Sequence, residues 1–235
     1  MATVLVIQNE ASDPPGLVGK WLEESGIHLE IVRPYAGDAV PRAVPHDVHG
    51  VVVLGGSMGA NDDAKYSWLA EVKALLSDAV LNETPVLGLC LGGQLLAVAL
   101  GGRVESAPNV EIGVTEVHVT PQAATDRLFG NGIPSTLKAV QWHQDYISEL
   151  PNEAVCLVTS AQCAVQAFRF GASAYGFQFH PEVDVDIFSS WFVAGDEVML
   201  KATKSQAELV DQVQQAVPQL IQTWKPVVQR WVTEL

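Results

Sequence analysis

Basic residues are scarce in this chain of 235 residues, where 13 lysines and arginines stand against 27 aspartates and glutamates for a formal net charge of −14. Such a surface repels polyphosphate and anionic lipid, so nucleic acid and membrane surfaces are excluded as favoured partners. Cysteine is scarce too. Cys90, Cys156 and Cys163 form an odd set without a CxxC spacing, which argues against both a disulfide framework and a clustered metal site. The opening MATVLVIQNE has neither a basic flank nor a cleavage signal, and with so few cysteines it predicts a reducing, cytoplasmic setting. Internal repeats, low-complexity tracts and linkers are also missing, so one domain over residues 1–235 is expected, with a core over about 4–192 and a helical extension over about 193–235.

Long apolar runs are almost absent. The exception is PVLGLCLGGQLLAVALGG at 85–102, eighteen residues without a charge. A membrane span needs about 20 apolar residues with few helix breakers. This run instead holds Pro85, five glycines and Gln94. It parses as a buried strand PVLGL, a sharp turn at Cys90, and a helix GQLLAVAL closed by Gly101 and Gly102.

What the chain does have is apolar residues, at 48%, in segments of regular period. TVLVIQ, HLEIV, GVVVLGG and PVLGL read as buried strands, and LVGKWLEESG and the stretch 63–82 read as helices between them. Alternation of this kind belongs to a parallel sheet covered on both faces. From Arg103 to Phe179 the pattern changes to successive strands, VEIGVTEVHVT, TLKAVQW, AVCLVTS, AVQAFRF and SAYGFQF, which predicts an antiparallel extension. The expected fold class is therefore α/β, a doubly wound, mostly parallel, flavodoxin-like sheet with that extension. Helices return after His180. The last of them, 205–235, should be kinked or divided at Pro218 and Pro226. Its stripe of Leu209, Val213, Val217, Leu220, Ile221 and Trp224 suits either core packing or a partner surface.

Chemistry concentrates at GLCLG, Gly88 to Gly92. A nucleophile at a strand-to-helix junction flanked by glycines projects from the carboxyl end of the sheet. The helix N-terminus favours the thiolate, lowering a cysteine pKa from about 8.5 into the range of roughly 3.5–7.5, and the N–H of Leu91 is free to donate to an oxyanion. A second glycine turn, LGGSMGAND, puts Gly55, Gly56 and Ser57 at the end of a neighbouring strand, facing the same crevice. Cys90 then needs an imidazole. Of His28, His46, His49, His118, His143 and His180, the last stands out: in GFQFHPE it ends a strand, points away from the Phe177 and Phe179 face, and is followed by Pro181, which stops the ladder. Glu182, two residues on, can accept from the second ring nitrogen. A zinc site from His143, His180 and Glu182 would lack clustered spacing, and neither metal nor cofactor is called for.

Taken together, GLCLGGQLLAVALGG, LGGSMGAND, QWHQD and GFQFHPE resemble class I, triad-type glutamine amidotransferases, especially free-standing relatives of the GMP synthase glutaminase domain. The resemblance runs from about Val4 to Phe192. It implies a catalytic trio on Cys90, His180 and Glu182, oxyanion donors at the backbone of Gly56 and Leu91, and Gln94 beside the amino-acid end of the substrate. Gly93 stands where many relatives have histidine and Ser57 where many have proline. QWHQD replaces the commoner S-H-G-D form, with His143 and Asp145 in the matching places. The implied reaction is hydrolysis of the γ-carboxamide of glutamine through a cysteinyl thioester. Three roles stay open: a glutaminase that docks with a separate synthetase, a self-sufficient γ-glutamyl amide or peptide hydrolase, and a binding module without activity.

Overall fold

A computed structural model describes residues 1–130, 132–194 and 201–235. Five parallel strands form its centre: β1 (Thr3–Ile7), β2 (His28–Val32), β3 (Gly50–Val53), β4 (Val86–Leu89) and β9 (Ala174–Phe177). Antiparallel strands β5 (Arg103–Val119), β6 (Thr136–Glu149), β7 (Val155–Thr159) and β8 (Ala167–Phe170) continue the same sheet, in the spatial order β2-β1-β3-β4-β9-β8-β7-β5-β6. The first five positions follow the doubly wound 2-1-3-4-5 order of flavodoxin-like sheets. One strand departs from expectation. The succession of strands predicts SAYGFQF within the antiparallel extension, yet β9 pairs parallel to β4, with Leu87 opposite Tyr175 and Leu89 opposite Phe177. A fully apolar strand in mid-sheet is buried on both faces whichever way it runs, so its composition does not encode its direction.

Side chains alternate across the sheet with the period of two that strands impose. Val4 and Val6 of β1, Val52 of β3, and Leu87 and Leu89 of β4 enter a core with α1 (Gly16–Glu24), α4 (Val185–Ala194) and α5 (Gln206–Val232). Leu5 and Ile7, Val51 and Val53, and Val86 enter the opposite core, with α2 (Trp68–Leu81) and α3 (Leu91–Ala99). The division expected at Pro218 and Pro226 does not occur, and α5 is one helix of 27 residues. Both prolines lie on its exposed side, where the carbonyls they leave without an intrahelical donor can turn to water. A capping box starts this helix: Ser205 accepts from the Glu208 N–H, and Glu208 accepts from the Ser205 N–H at 2.8 Å. Its inner face buries Leu209, Val213, Leu220, Trp224, Val227, Val228 and Trp231 against this chain's own sheet. The indoles of Trp224 and Trp231 donate to the carbonyls of Lys138 and Val86 at 3.0 and 3.2 Å. Among the described residues, no helix is long and apolar enough to cross a membrane.

Two glycines set the heights of the loops above the sheet. At Gly92, the second residue of α3, a Cβ would lie 2.0 Å from the Val53 carbonyl oxygen, so only glycine lets this helix start directly against β3. Gly16, with φ of +49°, brings α1 so near the turn after β9 that a Cβ would lie 2.2 Å from the Glu182 carbonyl oxygen. The adjacent Leu17 N–H donates to that same oxygen at 2.8 Å. In this way the start of one helix holds the Glu182 backbone.

Candidate active site

Loops from the carboxyl ends of β1, β3, β4 and β9 surround a cavity of about 460 Å³. Open α/β sheets bind ligands at this edge, where the strand order reverses between β1 and β3. Cys90 lies between β4 and α3 with φ 49° and ψ −107°, a conformation that costs a non-glycine residue about 1–3 kcal/mol and is held by its surroundings. Its N–H donates to the Phe177 carbonyl on β9 at 2.8 Å, and its carbonyl accepts from the Gln94 N–H at 3.0 Å. These bonds pin the turn at both ends. The sulfur reaches the cavity although only 7% of the residue is exposed.

His180 comes from the strand next door. Its N–H donates to the Val140 carbonyl at 2.9 Å, its ring lies 4.8 Å from that of Trp191, and its Nδ1 is 2.7 Å from Glu182 Oε1. That spacing gives Glu182 the Nδ1 proton and leaves Nε2 to the cavity side, where it makes no well-formed hydrogen bond. Burial opposes charge on this ring, but the Cys90 sulfur and the Glu182 carboxylate outweigh it and hold the His180 pKa well above the ordinary imidazole value. Burial pushes the Cys163 thiol up to about 12, and Cys156 is raised for the same reason.

Gly56 and Leu91 are neighbours, since a Cβ on Gly56 would lie 3.2 Å from Leu91 Cδ2. Among the described residues neither N–H has a hydrogen-bond partner. Both are therefore available to an anion. Ser57 also lines the cavity, but its N–H is taken by Glu10 Oε2 at 2.7 Å. Gly55 packs beneath His180, its Cβ position 3.2 Å from the ring carbon Cε1. Gln94 spends its amide on the Asp145 carbonyl at 3.0 Å and Gln178 Oε1 at 3.2 Å. His143 and Asp145 line the same cavity through a different set of bonds: His143 Nδ1 is 3.0 Å from the Asp145 carbonyl, and Nε2 is 3.3 Å from Glu111 Oε2. His143 also borders a second cavity of about 280 Å³, with Glu111 and Cys163. Among the described residues no group of three or more histidines, cysteines and carboxylates is disposed to hold a metal ion.

Two residues of the cavity region escape a reading from sequence. Gln178 Nε2 donates to Cys90 Sγ at 3.7 Å; the alternation that turns His180 away from the phenylalanine face turns Gln178 the same way, so a signal for it existed. Replacing Gln178 with leucine removes a donor that favours the thiolate. Alkylation of Cys90 by iodoacetamide at neutral pH is expected to slow about tenfold, as for loss of a hydrogen bond to a charged group, and an unchanged rate would show that the amide does not act on the sulfur. Asp13 has no such signal, because it sits in an irregular loop after β1.

A family model for glutamine amidotransferase class-I matches residues 17–191. The chain is 32% identical to the glutamine amidotransferase-like protein YfeJ of Salmonella typhimurium, over 77% of this chain and 75% of that one. It is also 32% identical to a subunit of the glutamine-hydrolyzing GMP synthase of Methanopyrus kandleri, over 77% and 89% of the two chains. In the longer GMP synthase of Aeropyrum pernix, 34% identical, the match spans only 30% of the protein. Among solved structures, a glutamine amidotransferase from Methylobacillus flagellatus superposes with a TM-score of 0.89 at 32% identity, covering 100% of this chain and 96% of the other. One from Thermotoga maritima gives 0.86 at 28% identity, with 98% of each chain covered. With its sheet order, its loop-lined cavity and these matches, the chain belongs to the class I glutamine amidotransferase family.

Proposed function

We propose that the protein hydrolyses the γ-carboxamide of glutamine, or a related γ-glutamyl amide, by acyl transfer through Cys90. One observation carries this reading: the Cys90 sulfur and the His180 imidazole, with Glu182 behind it, meet in one cavity at the ends of adjacent strands. In the proposed sequence the Cys90 thiolate attacks the amide carbon, and the oxyanion takes hydrogen bonds from the N–H groups of Gly56 and Leu91. His180 gives its Nε2 proton to the departing nitrogen, the C–N bond breaks, and a γ-glutamyl thioester remains. Water then attacks, His180 takes its proton, and Glu182 stabilises the imidazolium as it forms. In this reading Gln94 lies beside the amino-acid end of the substrate. Loss of either oxyanion donor would cost roughly 3–4 kcal/mol of barrier.

Relatives such as that of Methanopyrus kandleri are named as one subunit of a larger GMP synthase, which supports a separate synthetase as the consumer of the ammonia. A self-sufficient γ-glutamyl amide hydrolase is the other form of the same chemistry. Both are tested by incubating the protein with glutamine and a panel of γ-glutamyl amides, following ammonia or amine release, and searching acid-quenched samples by mass spectrometry for a glutamyl adduct on the Cys90 peptide. The adduct is expected. Its absence, with no release across the panel, would overturn the acyl-transfer reading.

A further inference from the structure

The loop after β1 brings to the cavity a carboxyl that no motif announces. Asp13 is 6% exposed and lines the cavity beside the Cε1 edge of His180: a Cβ on Gly55 would lie 3.2 Å from His180 Cε1 and 3.4 Å from Asp13 Oδ1. Trp191 of α4 backs the loop, its indole held by the Ser12 carbonyl at 3.1 Å and by the Asp13 carboxyl. The charged groups facing Asp13 are His180 and Glu182 from the turn after β9 and Glu10 from its own loop. Burial, opposed by His180 and reinforced by Glu182 and Glu10, pushes this carboxyl up to about 7. The site thus holds a carboxylic acid as well as a carboxylate near one imidazole, which is the arrangement that separates a proton donor from an electrostatic partner.

We propose that Asp13 is the acid that gives the departing nitrogen its second proton, so that nitrogen leaves the isolated chain as an ammonium ion. This rests on the acyl-transfer reading of Cys90 and His180 and extends it by one residue. His180 supplies the first proton as the C–N bond breaks and the electron pair goes to nitrogen, leaving ammonia beside Asp13. The Asp13 proton then passes to that ammonia, giving ammonium and a carboxylate as an ion pair. Ammonium has no free electron pair and cannot attack the thioester in reverse, which leaves the acyl group to water. When water adds, its proton returns to His180 and the thiolate leaves. The newly formed γ-carboxylic acid, the stronger acid, gives its proton back to Asp13. The cycle closes with glutamate and ammonium as products and every group as it began.

The proposal separates substrates by the basicity of the nitrogen they release. Glutamine releases ammonia, which takes a second proton readily, whereas glutamate γ-monohydroxamate releases hydroxylamine, a far weaker base that leaves neutral. Asp13→Asn is expected to lower kcat for glutamine by about a hundredfold, within the usual span of one proton-transfer group, with KM little changed and the hydroxamate rate reduced less than about threefold. In the wild type, kcat for glutamine should fall as pH rises through about 7, because the acid form of Asp13 is being lost. The variant should lack that fall. Retained alkylation of Cys90 by iodoacetamide shows that the site is assembled. Equal losses on the two substrates, or a variant that keeps the wild-type pH profile, would overturn the proposal. If Asp13→Asn does not fold, Asp13→Ser is put through the same comparison, and failure of both to fold assigns Asp13 a structural role instead. A wild-type protein inactive on both substrates would instead sink the acyl-transfer reading itself.

Discussion

Cys90→Ala should reduce ammonia release from glutamine to the uncatalysed background, a loss on the order of 10⁶ in kcat, as when the nucleophile of a comparable hydrolytic centre is removed. No other group can replace the sulfur. Burial pushes the Cys163 thiol up to about 12, so it stays protonated, and this residue borders the second cavity rather than the first. Water activated by His180 would have to attack an amide directly, without the thioester that divides the barrier in two. The oxyanion donors proposed at Gly56 and Leu91 are backbone groups and survive the substitution, so binding of glutamine should persist while turnover vanishes. A coupled ammonia assay at saturating glutamine measures the first, and calorimetric titration the second. Residual turnover above about 1% of wild type would show that the reaction does not pass through this sulfur.

Removal of residues 205–235 is expected to abolish cooperative folding. The helix they form buries seven large apolar side chains, among them Trp224 and Trp231. Each is worth about 1.5–3 kcal/mol when withdrawn from water, so together they match or exceed the roughly 5–15 kcal/mol by which a domain is stable at all. The loss would also expose Phe177 and Phe179, whose rings lie 6.3 and 4.4 Å from that of Trp224, beneath the turn that carries His180. We therefore propose that the helix is integral to a single folding unit spanning the chain. Circular dichroism during urea titration should show no sigmoidal transition for the shortened protein. A transition with the wild-type midpoint would make the helix an appendage.

The candidate site can be read from sequence wherever its information is local. GLCLG states its own geometry: glycines relieve the turn, the strand before it is apolar, and the helix after it begins at once. GFQFHPE does the same through alternation followed by proline. What cannot be read depends on distance. The direction of β9 follows from which strand lies beside it, and nothing within SAYGFQF says that this is β4. Asp13 belongs to a loop with no period, and its raised pKa comes first from burial, opposed by His180 and reinforced by Glu182 and Glu10, and neither the burial nor the two distant partners can be read from the loop itself. The Ser57 amide is as open as its neighbours by sequence, and only the fold brings Glu10 to occupy it. Pro218 and Pro226 warn of a broken helix because local rules treat every proline alike, whereas a proline facing water costs far less than one facing a core.

Because β4 and β9 are neighbours, the strands that lead to the thiol and the imidazole lie one strand spacing apart, roughly 4.8 Å, although some ninety residues of chain intervene. That intervening chain leaves the sheet centre after α3 and comes back at β9, an excursion whose two ends are tied together whatever its length. Insertions at a solvent-facing corner such as Asn152 and Glu153 would enlarge the periphery without changing the pairing of the strands that lead to Cys90 and His180. A lineage carrying this architecture is free to remodel its outer hairpins for new docking faces while the cavity at the sheet edge keeps its dimensions.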